Sequence, residues 1–163
     1  MIKSILCIVF MCASIQMQAQ PQARTGATKN TVYATVGSTV TFMAMALNFE
    51  RNLIINPAFQ FLVRGGFGRY SQIWSDEGRF MHASIVTLHG KTYNLIETAW
   101  GVTRFRSNYG FSKQIDGEYV DVPFRWYPSG YIGYRYKNPR KHFMLRAGIG
   151  WPDQLSVGLG FSF

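Results

Sequence analysis

Cysteine is nearly absent: Cys7 and Cys12 are the only two in 163 residues, and both stand near the amino terminus. Beyond them there is no thiol, so disulfides, thiolate nucleophiles and cysteine-ligated metals are excluded from the rest of the chain. Anions are scarce too, 8 Asp and Glu against 17 Lys and Arg, for a net charge of +9. With 47% hydrophobic and only 15% charged residues, the composition is far from that of a disordered chain. Long apolar runs are missing after the amino-terminal segment, and none approaches the ~20 residues a membrane-spanning helix requires. His82, His89 and His142 are scattered. No H-x-x-H or H-E-x-x-H spacing links them, so neither a metal nor any other cofactor is expected. Gly65, Gly66 and Gly68 sit inside a strand pattern with no following helix or Lys, which excludes a phosphate-binding loop.

What is present begins with an export signal over residues 1–19. Lys3 supplies the positive region, Ile5 to Ile15 the apolar region, and Ala19 the small residue before the cleavage point. Met17 stands where a second Ala is preferred. Leu6 and Met11 precede the two cysteines, which argues against lipoprotein processing. Cleavage removes one cation and no anion. Residues 20–30 are polar and small, and read as a flexible periplasmic tail.

From residue 31 to 163 the chain alternates with period two. Leu155, Val157, Leu159, Phe161 and Phe163 alternate with Ser156, Gly158, Gly160 and Ser162. Phe143, Leu145, Ala147, Ile149 and Trp151 alternate with Met144, Arg146, Gly148 and Gly150. Phe59, Phe61, Val63 and Phe67 oppose Gln60, Leu62, Arg64, Gly66 and Gly68; Ile96, Trp100 and Val102 oppose Glu97, Ala99 and Gly101. Ile132, Tyr134 and Tyr136 oppose Ser129, Tyr131, Gly133 and Arg135. Successive strand side chains point to opposite faces, so each segment has one oily face and one face of Gly, Ser and isolated charges. Gly and Ser make a poor solvated face. They suit a narrow barrel interior, with the oily face turned to lipid. Closure is then obligatory, because no edge amide or carbonyl can stay unpaired in hydrocarbon.

The expected fold is therefore all-β, a closed antiparallel up-and-down transmembrane barrel. Strands are expected near 39–49, 57–69, 79–89, 93–105, 129–137, 141–151 and 155–163, with 31–37 as the eighth that an even count needs. Short turns at 89–91 and 137–140 fall on one side. Longer loops at 70–78 and 106–128 fall on the other, and 50–56 is expected as a connection.

With these features the chain resembles the small outer-membrane β-barrel proteins of Gram-negative bacteria. The resemblance rests on the signal peptide, the alternating strands and the closing aromatic strand through Leu159, Phe161 and Phe163. It implies that those three residues are read by the barrel-assembly machinery, and it says nothing of an activity.

Candidate interior charges are Arg64, Glu97, Arg135 and Arg146. A buried charge must be paired, so they are expected to form a polar network that fills the lumen rather than a pathway. Three Arg against one Glu leaves that network unbalanced. His82 and Ser84 share a strand face, and such a pair also resembles the active strand of outer-membrane lipid A deacylases, with Glu97 as the possible third partner. No catalytic residue is assigned on that basis. Arg69, Arg79, Arg104, Arg106, Lys113 and Arg125 gather toward one end with Tyr70, Trp74, Tyr109, Phe111, Tyr119, Trp126 and Tyr127. That mixture can bind single-stranded nucleic acid, but the export signal argues against it. Outer-membrane lipids and lipopolysaccharide are the expected partners of a monomer. Two alternatives stand beside a structural or surface-interaction barrel: a lipid-modifying enzyme, and a soluble lipocalin-like carrier. The carrier requires Phe143, Leu145, Ile149, Val157 and Leu159 to point inward.

Overall fold

The computed structural model describes residues 28–56, 59–73, 76–90, 93–115, 118–138 and 142–163, with the backbone alone over 111–121. The expected signal peptide and most of the expected tail lie outside these residues, as do Trp74 and parts of the turns at 89–91 and 137–140.

Eight strands follow one another: β1 (Asn30–Ser38), β2 (Phe42–Ile55), β3 (Phe59–Gln72), β4 (Asp76–His89), β5 (Asn94–Ile115), β6 (Glu118–Asn138), β7 (Phe143–Trp151) and β8 (Gln154–Ser162). Each pairs antiparallel with the next, and β8 returns to β1, so the sheet closes on itself. The seam runs from Thr31 opposite Ser162 to Ser38 opposite Leu155. Reciprocal backbone bonds of 2.8 Å between Asn30 and Phe163 fasten its lower end. Both ends of the barrel chain therefore emerge on one side, called the terminal side below. As the alternation predicts, this is an all-β closed antiparallel barrel.

Three boundaries differ from expectation. β2 does not stop at residue 49. Its alternation continues through Asn48, Glu50 and Asn52 inward and Phe49 and Arg51 outward, and a register shift between Asn52 and Ile54 accommodates its end. The connection expected at 50–56 is thus mostly strand. The segment 106–128 is not a loop: β5 and β6 run on as a paired two-stranded ribbon beyond the barrel rim, with one irregularity between Arg106 and Phe111. The loop expected at 70–78 shrinks, because β3 reaches Gln72 and β4 starts at Asp76.

The exterior is oily. Phe67, Met81, Trp100, Ile149, Val157 and Leu159 are each more than half exposed. Leu145 and Phe143 also face outward, 39% and 37% exposed, so the five residues that a soluble carrier would turn inward all point out. Inside, small residues line much of the wall and make room for a few large ones. A Cβ at Gly133 or Gly148 would run into the Tyr131 hydroxyl, which shows how one ring occupies space that two glycines leave open.

Candidate functional site: the charged interior of the barrel

The lumen is filled in three tiers. Toward the far end, Phe42, Ala44, Ala46, Tyr70, Phe80 and Phe105 pack together. Trp151, at the end of β7, turns back over this tier, its ring centroid 5.7 Å from those of Phe42 and Phe105 and 6.3 Å from that of Tyr127. Toward the terminal side, Leu62, Val86, Leu88, Leu95, Ala99 and Tyr131 form a second apolar cluster. Between the two lie the charges.

The structure brings Arg64, Glu97, Arg135 and Arg146 together in this middle tier, all buried. It adds two residues that the sequence reading did not assign to the interior network, Glu50 and Tyr33. Glu50 accepts from Tyr33 OH at 2.7 Å, from Arg64 Nε at 2.8 Å, and from Arg135 Nη1 and Nη2 at 2.5 and 2.8 Å. Glu97 accepts from Arg135 Nε at 2.8 Å and from Arg64 Nη2. Arg146 Nη2 lies 3.1 Å from Glu97 Oε1, and its Nη1 donates to Tyr33 OH at 3.0 Å. Its guanidinium stands 3.9 Å from the centroid of the Tyr131 ring, the geometry of a cation–π contact. Each carboxylate is thus shared between guanidinium groups. Buried charges persist in low dielectric only when paired and hydrogen-bonded in this way. The second carboxylate was findable in two ways. Period two extends through Met43 to Asn52, and three arginines need more than one anion.

A small cavity of about 20 Å³ lies beside the network, lined by Arg64, His82, Ser84, Ser129, Tyr131 and Asp153 and roofed by Trp151. That volume accommodates about one water molecule. His82 Nε2, Ser129 Oγ, Tyr131 OH and Asp153 Oδ1 are buried around it without a protein hydrogen-bond partner. His82 stacks on Phe80, with ring centroids 6.1 Å apart. Both oxygens of Glu97 are committed to arginines, so Glu97 does not orient His82 toward Ser84. Among the described residues, no cluster of three His, Cys, Asp or Glu side chains could hold a metal ion.

Leu159, Phe161 and Phe163 face outward at the terminal side, each more than half exposed. Phe161 lies opposite Phe143 on β7 and Val32 on β1. Near the rim, Arg104 lies 4.2 Å from the ring centroid of Phe124 and 5.9 Å from that of Trp126. The side chains of Lys113, Phe111 and Tyr119 lie outside the described residues.

A closed eight-stranded barrel that is oily outside and polar at its centre defines the class: this is the fold of the small Gram-negative outer-membrane β-barrel proteins. No protein-family profile matches the chain, and no curated protein matches it in sequence. Among solved structures it is similar to the attachment invasion locus protein Ail of Yersinia pestis, at 11% identity and a TM-score of 0.52, over 84% of this chain and all of that one. The structure of Ail with the heparin analogue sucrose octasulfate matches over the same shares at 12% identity and a TM-score of 0.48. At such identities the likeness is one of fold.

Proposed function

We propose that the chain is an integral outer-membrane barrel with a structural, envelope or surface-interaction role. The observation that carries this reading is the inverted distribution of side chains. An exterior of Phe67, Met81, Ile149, Val157 and Leu159 suits acyl chains, whereas paired charges at the axis suit a lumen shielded from them. Residues 1–19 direct export, and residues 20–30 serve as a periplasmic tail. The terminal side faces the periplasm, and the β5–β6 ribbon faces outward among lipopolysaccharide. Leu159, Phe161 and Phe163 serve the barrel-assembly machinery. The barrel acts as a monomer, without a cofactor.

Two apolar tiers enclose an ion-paired middle, an arrangement that supports a filled lumen rather than a pore. No catalytic activity is inferred. The deacylase alternative takes Glu97 as the partner of His82, and Glu97 is held by arginines instead. The test is folding of the mature chain into detergent micelles, followed by electrophoresis with and without boiling. The folded form should migrate faster than the boiled form, and the chain should fractionate with outer membranes in cells. A single unshifted band, together with detergent-free solubility, would refute the proposal.

A further inference from the structure

The far-side turns are not alike. Val40, between β1 and β2, is 92% exposed, and Ile73, after β3, is 53% exposed. The turn between β7 and β8 does the opposite, for Pro152 and Asp153 are both buried. A carboxylate taken out of solvent needs hydrogen-bond partners. Among the described residues, no cation lies within ion-pair distance of Asp153, and its Oδ1 has no protein hydrogen bond. The backbone of the turn is nevertheless fitted closely to the wall. A Cβ at Gly37 of β1 would collide with the Asp153 carbonyl. Gln154 holds a φ of 59°, a left-handed conformation uncommon outside glycine, and such a bend persists where its surroundings hold it. The Asp153 side chain faces the cavity of about 20 Å³ beside the ion network, across from His82 and Ser84 of β4 and from Ser129 and Tyr131 of β6. Ser129, Tyr131 and Asp153 are each at least nine-tenths buried. Together with His82 Nε2, they present four unpartnered polar atoms to one small space.

We propose that this cavity is a binding site for one long-lived water, which bridges the β7–β8 turn to β4 and β6 and so holds the turn as a stopper in the far mouth of the barrel. Charge decides the class of ligand. The lining carries a cation, Arg64, and an anion, Asp153, so an ion of either sign would meet its like. A neutral dipole suits both walls. Size narrows the choice to water, which needs roughly 10–15 Å³ of such space. Its two hydrogens go to Asp153 Oδ1 and His82 Nε2, and its oxygen accepts from Ser129 Oγ and Tyr131 OH. That satisfies all four unpartnered atoms, within the 2–4 bonds that a buried water typically makes. The Trp151 ring, packed on Phe42, Phe105 and Tyr127, then fastens one end of the turn, and the bridged carboxylate fastens the other. The inference concerns the lumen alone and holds whatever surrounds the barrel.

The experiment is oxygen-17 magnetic relaxation dispersion on the folded chain in detergent micelles, which counts long-lived waters without interference from hydroxyl protons. The unmodified barrel should hold about one more such water than Ser129→Val, whose methyl groups take up the space and whose hydroxyl is lost. Nitrogen relaxation of the backbone amide at residue 153 reads the anchor. Its order parameter should be about 0.85 in the unmodified chain and fall below about 0.6 in Asp153→Ala. Asp153→Asn keeps a side-chain oxygen for the water and should stay near the unmodified value. A folded, unmodified barrel with no long-lived water overturns the site without recourse to any variant. An equal water count in folded Ser129→Val overturns it too. A turn that stays rigid in Asp153→Ala, or that is as mobile in Asp153→Asn as in Asp153→Ala, overturns the bridge.

Discussion

Removing the charge of Glu50 tests the central argument most sharply. In the network of Arg64, Arg135, Arg146, Glu50 and Glu97, the substitution Glu50→Gln leaves three guanidinium groups facing one carboxylate. It also takes the anion away from bonds of 2.8 Å to Arg64 and 2.5 and 2.8 Å to Arg135. Breaking a buried ion pair from one side costs about 3–5 kcal/mol, because the remaining charge stays buried without its partner. Arg146→Met is the control. It removes one ion-pair contact of 3.1 Å, the bond to Tyr33 and the cation–π contact with Tyr131, fills similar volume, and leaves two charges of each sign. Urea unfolding from lipid vesicles, followed by tryptophan fluorescence, reads both. At about 1–3 kcal/mol per molar urea, a loss of ~3 kcal/mol moves the midpoint down by roughly 1–3 M. Glu50→Gln should lie at or above that shift, and Arg146→Met should lie clearly below it. If Arg146→Met proves equal or worse, charge balance is not what holds the middle tier.

Two further outcomes follow from the outward and inward faces. Val157→Arg, midway along β8 and 58% exposed, should cost about 2–4 kcal/mol in vesicles, the expense of an arginine near the bilayer midplane, as read by the same urea titration. Spin labels at Leu145 and Arg146 should report opposite environments, lipid-accessible oxygen relaxation at the first and a shielded signal at the second, since the residues are 39% and 1% exposed. Reversed signals would turn the barrel right side out.

Much of the architecture was legible because a period of two is a local property. β7 and β8 alternate without interruption, and Phe143, Leu145, Ala147 and Ile149 on the one and Leu155, Val157, Leu159 and Phe161 on the other face outward. The misread segments are those where the local cue weakens. Residues 106–128 contain Ser107, Asn108, Gly110, Gly117, Pro123 and Pro128, which read as turn formers, and the register breaks between Arg106 and Phe111. Only cross-strand pairing holds that ribbon extended, and pairing is a long-range fact. Glu50 falls in the connection expected at 50–56 because polar residues cluster there, yet the alternation with Phe49 and Arg51 is unbroken. Its partner Arg135 stands 85 residues away, a meeting that only closure of the barrel brings about. Trp151 was assigned by parity to the outer face, and a strand-end residue at the rim is free to fold over the mouth instead.

The uneven height of the wall has its own consequence. β7 meets β6 only from Gly130 onward, and β4 meets β5 only up to Ser107, so among the described residues the upper ribbon has a neighbouring strand on neither flank. Bare flanks of this kind offer unclaimed amides and carbonyls to any extended segment that drifts by. Pro123 and Pro128 on β6 each lack an N–H and so interrupt the row of donors along that strand. The protrusion can therefore stand beyond the rim as a solitary hairpin, present its broad faces, and offer the next copy of itself only a broken ladder.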